Sequence, residues 1–208
     1  MNDLHDLTDA LIAAAPVFRG DDQLLARAVY RTLARGKPVT DADLATTTEL
    51  PIDQVQAVLA GWPGVFRNAD NNIVGFWGLA LLEMPHALTV DGAELYAWCA
   101  WDTLFLPAVL KATAEVHSAD PSSGEPVTLI VTPNEVKERS HERIAVSFLS
   151  PGSPFEAGVI ESFCHYVHFF TDPESAAPWV SSHDGTFLIG LDDAFQLGQR
   201  WNAARGFE

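Results

Sequence analysis

Leu4, Leu7, Leu11 and Ile12 recur at helical spacing, as do Leu24, Leu25, Ala28, Val29 and Leu33, and each set predicts an amphipathic helix. Thr40 has the side chain of an N-cap, which places another helix through about Thr47. Pro51 sits where a first helical turn tolerates proline, ahead of Val55, Val58 and Leu59. Together these short segments predict a helix-turn-helix. The stretch PGVFRNADNNIVGFWG follows, two short apolar runs around a polar turn, which is the pattern of a β-hairpin or wing.

From about Thr89 the pattern changes. GAELYAWCAWDTLFLPAVL predicts a largely buried helix stopped or kinked near Pro107. PVTLIVTP, RIAVSFL, YVHFF and TFLIGL predict strands, and SAAPWVSS and DAFQLGQRWNAA predict later helices. The polar residues between Glu115 and Pro126 predict a loop, and SPGSPFEAG predicts another. The expected fold class is α+β. A winged-helix-like helical domain occupies residues 1–82, and a mixed α/β domain with antiparallel strands occupies residues 83–208.

The chain has 208 residues, 48% of them hydrophobic, enough to build a core without metals or disulfides. Its formal net charge of −16 repels phosphate backbones and anionic membranes. The expected recognition helix, IDQVQAVLAGW, contains no Lys or Arg to meet phosphates. A structural role is therefore expected for the helical half, with no nucleic acid as partner. The opening MNDLHDLTDALIAAAPVF has acids where a secretory signal wants a basic flank. No apolar run approaches the roughly 20 residues of a membrane-spanning helix. A cytoplasmic protein without a membrane partner is expected.

In that compartment Cys99 and Cys164, the two cysteines, stay reduced, and no structural disulfide is expected. Cys99 and Asp102 lie three positions apart, so on a helix both side chains would leave one face. A lone pair at this spacing also fits a small buried thiol beside a capping acid. Against that plain reading stand the neighbours of Asp102, namely Trp98, Trp101, Leu104 and Phe105, because a carboxylate among such groups is costly to bury and its pKa rises. Cys164 lies in ESFCHYVHFF, read as a strand or its entry. His165 and His168 would then point to opposite faces, and His168 reads as a core histidine. Structural zinc is not favoured, since no close CxxC or HxxxH pair anchors a site.

The strings LYAWCAWDTLFLPAVL, GEPVTLIVTP, SFCHYVHFF and DAFQLGQRWN, in this order and spacing, resemble the organomercurial (alkylmercury) lyases. ARGKPVTDADLA and NNIVGFWGLAL resemble the N-terminal domain of that family, so the likeness covers roughly Ala28 to Asn202. The resemblance implies a catalytic set of Cys99, Asp102 and Cys164, with the two cysteines as ligands of substrate and product mercury. His165 stands where the family often has a second cysteine, and a further loop cysteine is missing around Ser118 to Gly124.

The implied chemistry suits these residue types. Mercury is soft and prefers thiolate sulfur. Two thiolates would polarise the carbon–mercury bond toward carbon, and Asp102 would take a thiol proton and return it to carbon as a general acid. The products would be a hydrocarbon and mercuric ion. The resemblance implies no cofactor, with mercury only as substrate and product. Expected partners are organomercurials, low-molecular-weight thiols needed for turnover, and a mercuric reductase as product acceptor. Trp98, Phe163 and Tyr96 are expected pocket walls. Three rivals stand beside this reading. One is a non-catalytic soft-metal binding or sensor protein, which would need the cysteines but not Asp102. Another is a thiol enzyme using one activated cysteine. The third is a family member that has drifted to another organometal or lost activity.

Overall fold

A computed structural model describes residues 4–156 and 158–207. Residues 1–3 of the acidic opening, Ala157 of the second expected loop and Glu208 lie outside the described residues. Four short helices come first: α1 (Leu4–Ala14), α2 (Asp21–Leu33), α3 (Asp41–Thr48) and α4 (Ile52–Gly61). Thr40 caps α3 as expected, its Oγ1 accepting from Asp43 N at 3.0 Å. Pro51 is itself the residue that opens α4. The expected hairpin follows as β1 (Val65–Arg67) and β2 (Ile73–Phe76), paired antiparallel. Asn68 Oδ1 closes its turn by accepting from Asp70 N and Asn72 N.

The remaining chain runs β3 (Leu79–Ala80), β4 (His86–Val90), β5 (Ala93–Ala97), α5 (Asp102–Leu110), β6 (Ala114–Ala119), β7 (Pro126–Val131), β8 (Val136–Arg139) and β9 (Ala145–Leu149). It ends with α6 (Val159–Ser162), a 3-10 turn at Cys164–Tyr166, β10 (Phe169–Phe170), α7 (Pro173–Ser182), β11 (Thr186–Gly190) and α8 (Leu191–Arg205). The strands form an eight-stranded sheet of order β1-β2-β3-β5-β4-β6-β7-β8 and a three-stranded sheet of order β10-β9-β11. Every pairing is antiparallel. The α+β class with a helical N-terminal half is what the pattern predicts. The larger sheet runs unbroken from the hairpin into the second half, so the helical half is continuous with the rest. One hydrophobic core likewise extends from Leu7 to Phe207.

Three expectations need correction. The helix expected across residues 92–110 is a strand, a corner and a shorter helix. Val90 pairs with Ala93 around Asp91 and Gly92, both at positive φ, which is a two-residue hairpin that fixes β5 as a strand. The loop expected after Glu115 begins as β6, in which Ala114 and Val116 are buried while Glu115 and His117 are exposed. The strand expected at YVHFF is reduced to Phe169 and Phe170. Cys164 lies on the 3-10 turn before it, and His168 Nε2 turns back to His165 O at 2.8 Å.

Helix α8 closes the core against α5. A Cβ on Gly198 would stand 2.9 Å from the Phe105 Cβ, so the glycine sets how closely the helices approach. Asn202 Nδ2 donates to Phe105 O at 2.9 Å, and Trp101 Nε1 donates to Ala194 O at 3.0 Å. Gly198→Ala gains about 1 kcal/mol of helix propensity but forces a shift that costs about 1–3 kcal/mol. We expect net destabilisation of up to about 2 kcal/mol in urea unfolding. A more stable variant would show that this helix contact is loose.

Candidate active site

Strand β5 leads into a tight corner, Trp98 to Trp101, and Asp102 is the first residue of α5. The corner is fixed from two sides. Trp98 N donates to Gly78 O at 3.0 Å, and Ala100 N donates to Val167 O at 3.1 Å, which ties it to the Cys164 turn. Asp102 Oδ2 accepts from Cys99 N at 2.8 Å. Cys99 and Asp102 therefore meet across a strand-to-helix corner, and the shared helical face expected from their spacing is not the reason.

Ligand atoms of Cys99, Asp102 and Cys164 all lie within 4.8 Å of one another, and all three residues are buried. Both cysteines are free thiols, with 0% and 4% of their surface exposed. Room for the carboxylate comes from Gly78, at φ +97°, where a Cβ would stand 2.7 Å from Asp102 Oδ1. Only glycine fits that position without displacing the acid.

A cavity of about 20 Å³ opens against Asp102 and Cys164, and its walls include Trp77, Trp98, Trp101, Phe155, Phe163 and Trp201. Cys99 lies behind these residues. Trp98 and Phe163, expected as walls, are both on the lining. Tyr96 is not, and that expectation is corrected. It sits on β5 opposite Ala80 and Ala87, half-buried, between the inward-facing Leu95 and Ala97. Strand alternation places it away from the cavity. Sequence reasoning missed Trp77, Gly78, Phe155 and Trp201, which reach the site through tertiary packing.

Burial dominates the electrostatics. It pushes the Asp102 carboxyl up to about 7, although the Cys99 thiol, the Cys99 N–H and the Arg205 charge all favour the ionised form. Burial also raises the Cys99 thiol well above its ordinary value, aided by its hydrogen bond to Cys164 and by the Asp102 charge. At Cys164 the Cys99 hydrogen bond pulls downward, but burial and the charges of Asp102 and Glu161 leave the thiol raised. At rest, both sulfurs hold their protons.

Arg205, not singled out in the sequence, is fully buried behind the cavity. Its guanidinium lies 4.9 Å from the Trp201 ring centre and 5.2 Å from those of Trp77 and Phe18. No Arg205 nitrogen completes a hydrogen bond to a described residue. Its polar neighbour is the Tyr30 hydroxyl, which donates to Trp77 O at 2.8 Å. Burial drives Tyr30 up to about 12, so it stays neutral.

Two thiols and a proton-carrying carboxyl, enclosed by aromatic rings in an α+β fold, define a site for a soft cation that bears an apolar group. Residues 79–203 match the family model for alkylmercury lyase, and residues 4–77 match that for the helix-turn-helix domain of alkylmercury lyase. The chain belongs to the alkylmercury lyase family. It is 38% identical to the alkylmercury lyase of Bacillus cereus over 84% of this chain and 79% of the relative. It is 40% identical to that of Pseudomonas putida over 82% and 79%, and 37% identical to that of Streptomyces lividans over 83% and 79%. The crystal structure of the mercury-bound form of MerB2 has the same fold, with a TM-score of 0.74 over 99% of this chain and 100% of the other at 24% identity.

Asp102 also gives a stability prediction. Its folded pKa of about 7 exceeds the ordinary 3.8, so its contribution is fully present below about pH 4 and is lost as pH rises through about 7. Asp102→Asn removes that dependence. The variant should gain on wild type between pH 4 and pH 8, by up to about 4 kcal/mol, as read from urea unfolding at both pH values. A constant difference between the two proteins would mean that the carboxyl titrates normally.

Proposed function

We propose that this chain, an alkylmercury lyase, cleaves the carbon–mercury bond by protonolysis, with Cys99 and Cys164 as mercury ligands and Asp102 as the proton carrier. The observation that supports this most is the meeting of both sulfurs and the carboxylate within 4.8 Å in a buried, apolar site. The organomercurial arrives as its complex with a small thiolate and exchanges that ligand for one protein sulfur, whose proton leaves on the released small thiol as the first sulfur–mercury bond forms. Asp102 accepts the proton of the second thiol, and that sulfur joins the mercury. The carbon–mercury electron pair stays with carbon, which takes the proton back from Asp102 and leaves as a hydrocarbon. Mercury remains Hg(II) throughout, now held by two thiolates.

The aromatic walls keep water away from the polarised bond and receive the organic group. In our reading no resident cofactor takes part. Low-molecular-weight thiols release the product, and a mercuric reductase receives it. Cytoplasmic location, with neither nucleic acid nor membrane as partner, belongs to the same reading. Two observations support this: no described helix is long and apolar enough to cross a membrane, and α4 has no Lys or Arg.

The test is anaerobic incubation with methylmercury and excess thiol, following methane in the headspace. Cys99→Ala and Cys164→Ala should each abolish methane release. Asp102→Ala should still bind one mercury per chain but lose roughly 10²–10⁴-fold in rate, the usual worth of a positioned acid. Mercury bound by wild type without methane would replace the enzyme with a binding protein.

A further inference from the structure

Among the residues lining the cavity, Phe155 differs from the rest. The lining comprises Trp77, Gly78, Trp98, Trp101, Asp102, Phe105, Phe155, Val159, Phe163, Cys164 and Trp201, and every member except Phe155 is fully buried. Phe105 and Trp201 stand on α5 and α8, and the other buried rings come from short turns pinned to the core. Trp101 is tied to α8 by its indole N–H, and Trp77 is held through its carbonyl by Tyr30. Phe155 comes instead from the irregular stretch between β9 and α6, and its N–H donates to Ala14 O at the end of α1. Its ring nevertheless packs onto the aromatic lining, 5.0 Å from the centre of Phe163, 6.1 Å from Trp201 and 6.4 Å from Trp77, and is the part of that lining in reach of solvent.

The enclosed space is about 20 Å³, whereas about 10–15 Å³ holds one water-sized group. A methyl group fits beside Cys164 with the walls as they stand. A phenyl ring does not fit.

We propose that Phe155 sets the size of organic group this site accepts, admitting methyl with its ring in place and aryl groups only when the ring is displaced. The inference rests on the organomercurial reading for its substrate class. Because Phe155 touches both the cavity and solvent, it is the wall segment whose movement opens the site without unpacking the core. Trimming it enlarges the space next to the reacting sulfur and leaves Cys99, Asp102 and Cys164 in place.

The experiment compares kcat/KM for phenylmercuric acetate and methylmercury in wild type, Phe155→Ala and Phe155→Leu. Intrinsic differences in bond reactivity cancel when the phenyl-to-methyl ratio is compared between proteins. That ratio should rise about tenfold or more in Phe155→Ala and less in Phe155→Leu, in line with what a pocket gains per removed carbon. A second readout needs no turnover: the rate at which methyl and benzyl methanethiosulfonate label Cys164, followed by mass spectrometry. In that reaction the sulfur attacks the reagent, a mixed disulfide forms and methanesulfinate leaves. The benzyl-to-methyl labelling ratio should also rise about tenfold in Phe155→Ala. Both ratios staying within roughly two-fold of wild type in folded variants overturns the proposal. If Phe155→Ala does not fold, Phe155→Leu decides the matter. If wild type cleaves neither mercurial, the functional reading fails, while the labelling ratio still decides the role of Phe155.

Discussion

A carboxylate removed from water must be held by donors and by space made for it, and Asp102 depends on both. The donor is Cys99 N–H at 2.8 Å, available because β5 ends in a corner before α5 begins. The space is the missing Cβ of Gly78, whose backbone carbonyl also anchors that corner through Trp98 N. The β2–β3 turn, the end of β5, the start of α5 and the Cys164 turn all converge on this carboxyl. The helical half of the chain is therefore part of the site, because the turn that leaves its hairpin supplies Trp77 and Gly78 and the end of α1 anchors Phe155.

Arg205 provides the second constraint. A buried guanidinium without complete hydrogen bonds is costly, and ring faces return only part of its lost hydration. The two Cys99 hydrogen bonds oppose the upward push of burial on Asp102, and the Arg205 field adds to them, so the carboxyl comes to rest at about 7 and not higher. Tyr30, kept neutral by the same burial, fixes Trp77 without adding a charge. Carboxyl, guanidinium and rings form one unit, and removing the cation alone would leave the acid more firmly protonated.

Much of this was legible from residue order. The apolar spacing of α1 to α4, the Thr40 cap and the polar turn of the β1–β2 hairpin are local signals, and the fold follows them. Asp102 stood out among its aromatic neighbours, and the family resemblance joined it to Cys99 and Cys164 as one set. The corner was misread because Trp, Cys, Leu and Phe in succession suit a buried helix as well as a strand entering one. The Asp91-Gly92 pair, flanked by Val90 and Ala93, was the hairpin signal that could have corrected it. Tyr96 then follows strand alternation and leaves the site. Gly78, Arg205 and Phe155 left no local signal, because each acts through a contact with residues distant in the chain.

Closure of the site and its proton chemistry have one cause. The burial that hides both sulfurs also keeps them protonated, so neither is a free thiolate before a soft cation arrives. In the proposed reaction, the second sulfur gives up its proton on joining mercury inside a space that excludes water. The nearest base is a carboxyl whose pKa of about 7 makes it a far better proton acceptor than an ordinary aspartate. In the proposed reaction the same value leaves it acidic enough to give the proton up as carbon gains charge. An exposed aspartate would be too weak a base for that transfer, and a buried one without the Cys99 hydrogen bonds and Arg205 would hold its proton more firmly. The enclosure, the cation behind it and the aromatic walls thus set a single quantity, the proton affinity of Asp102, from opposite directions.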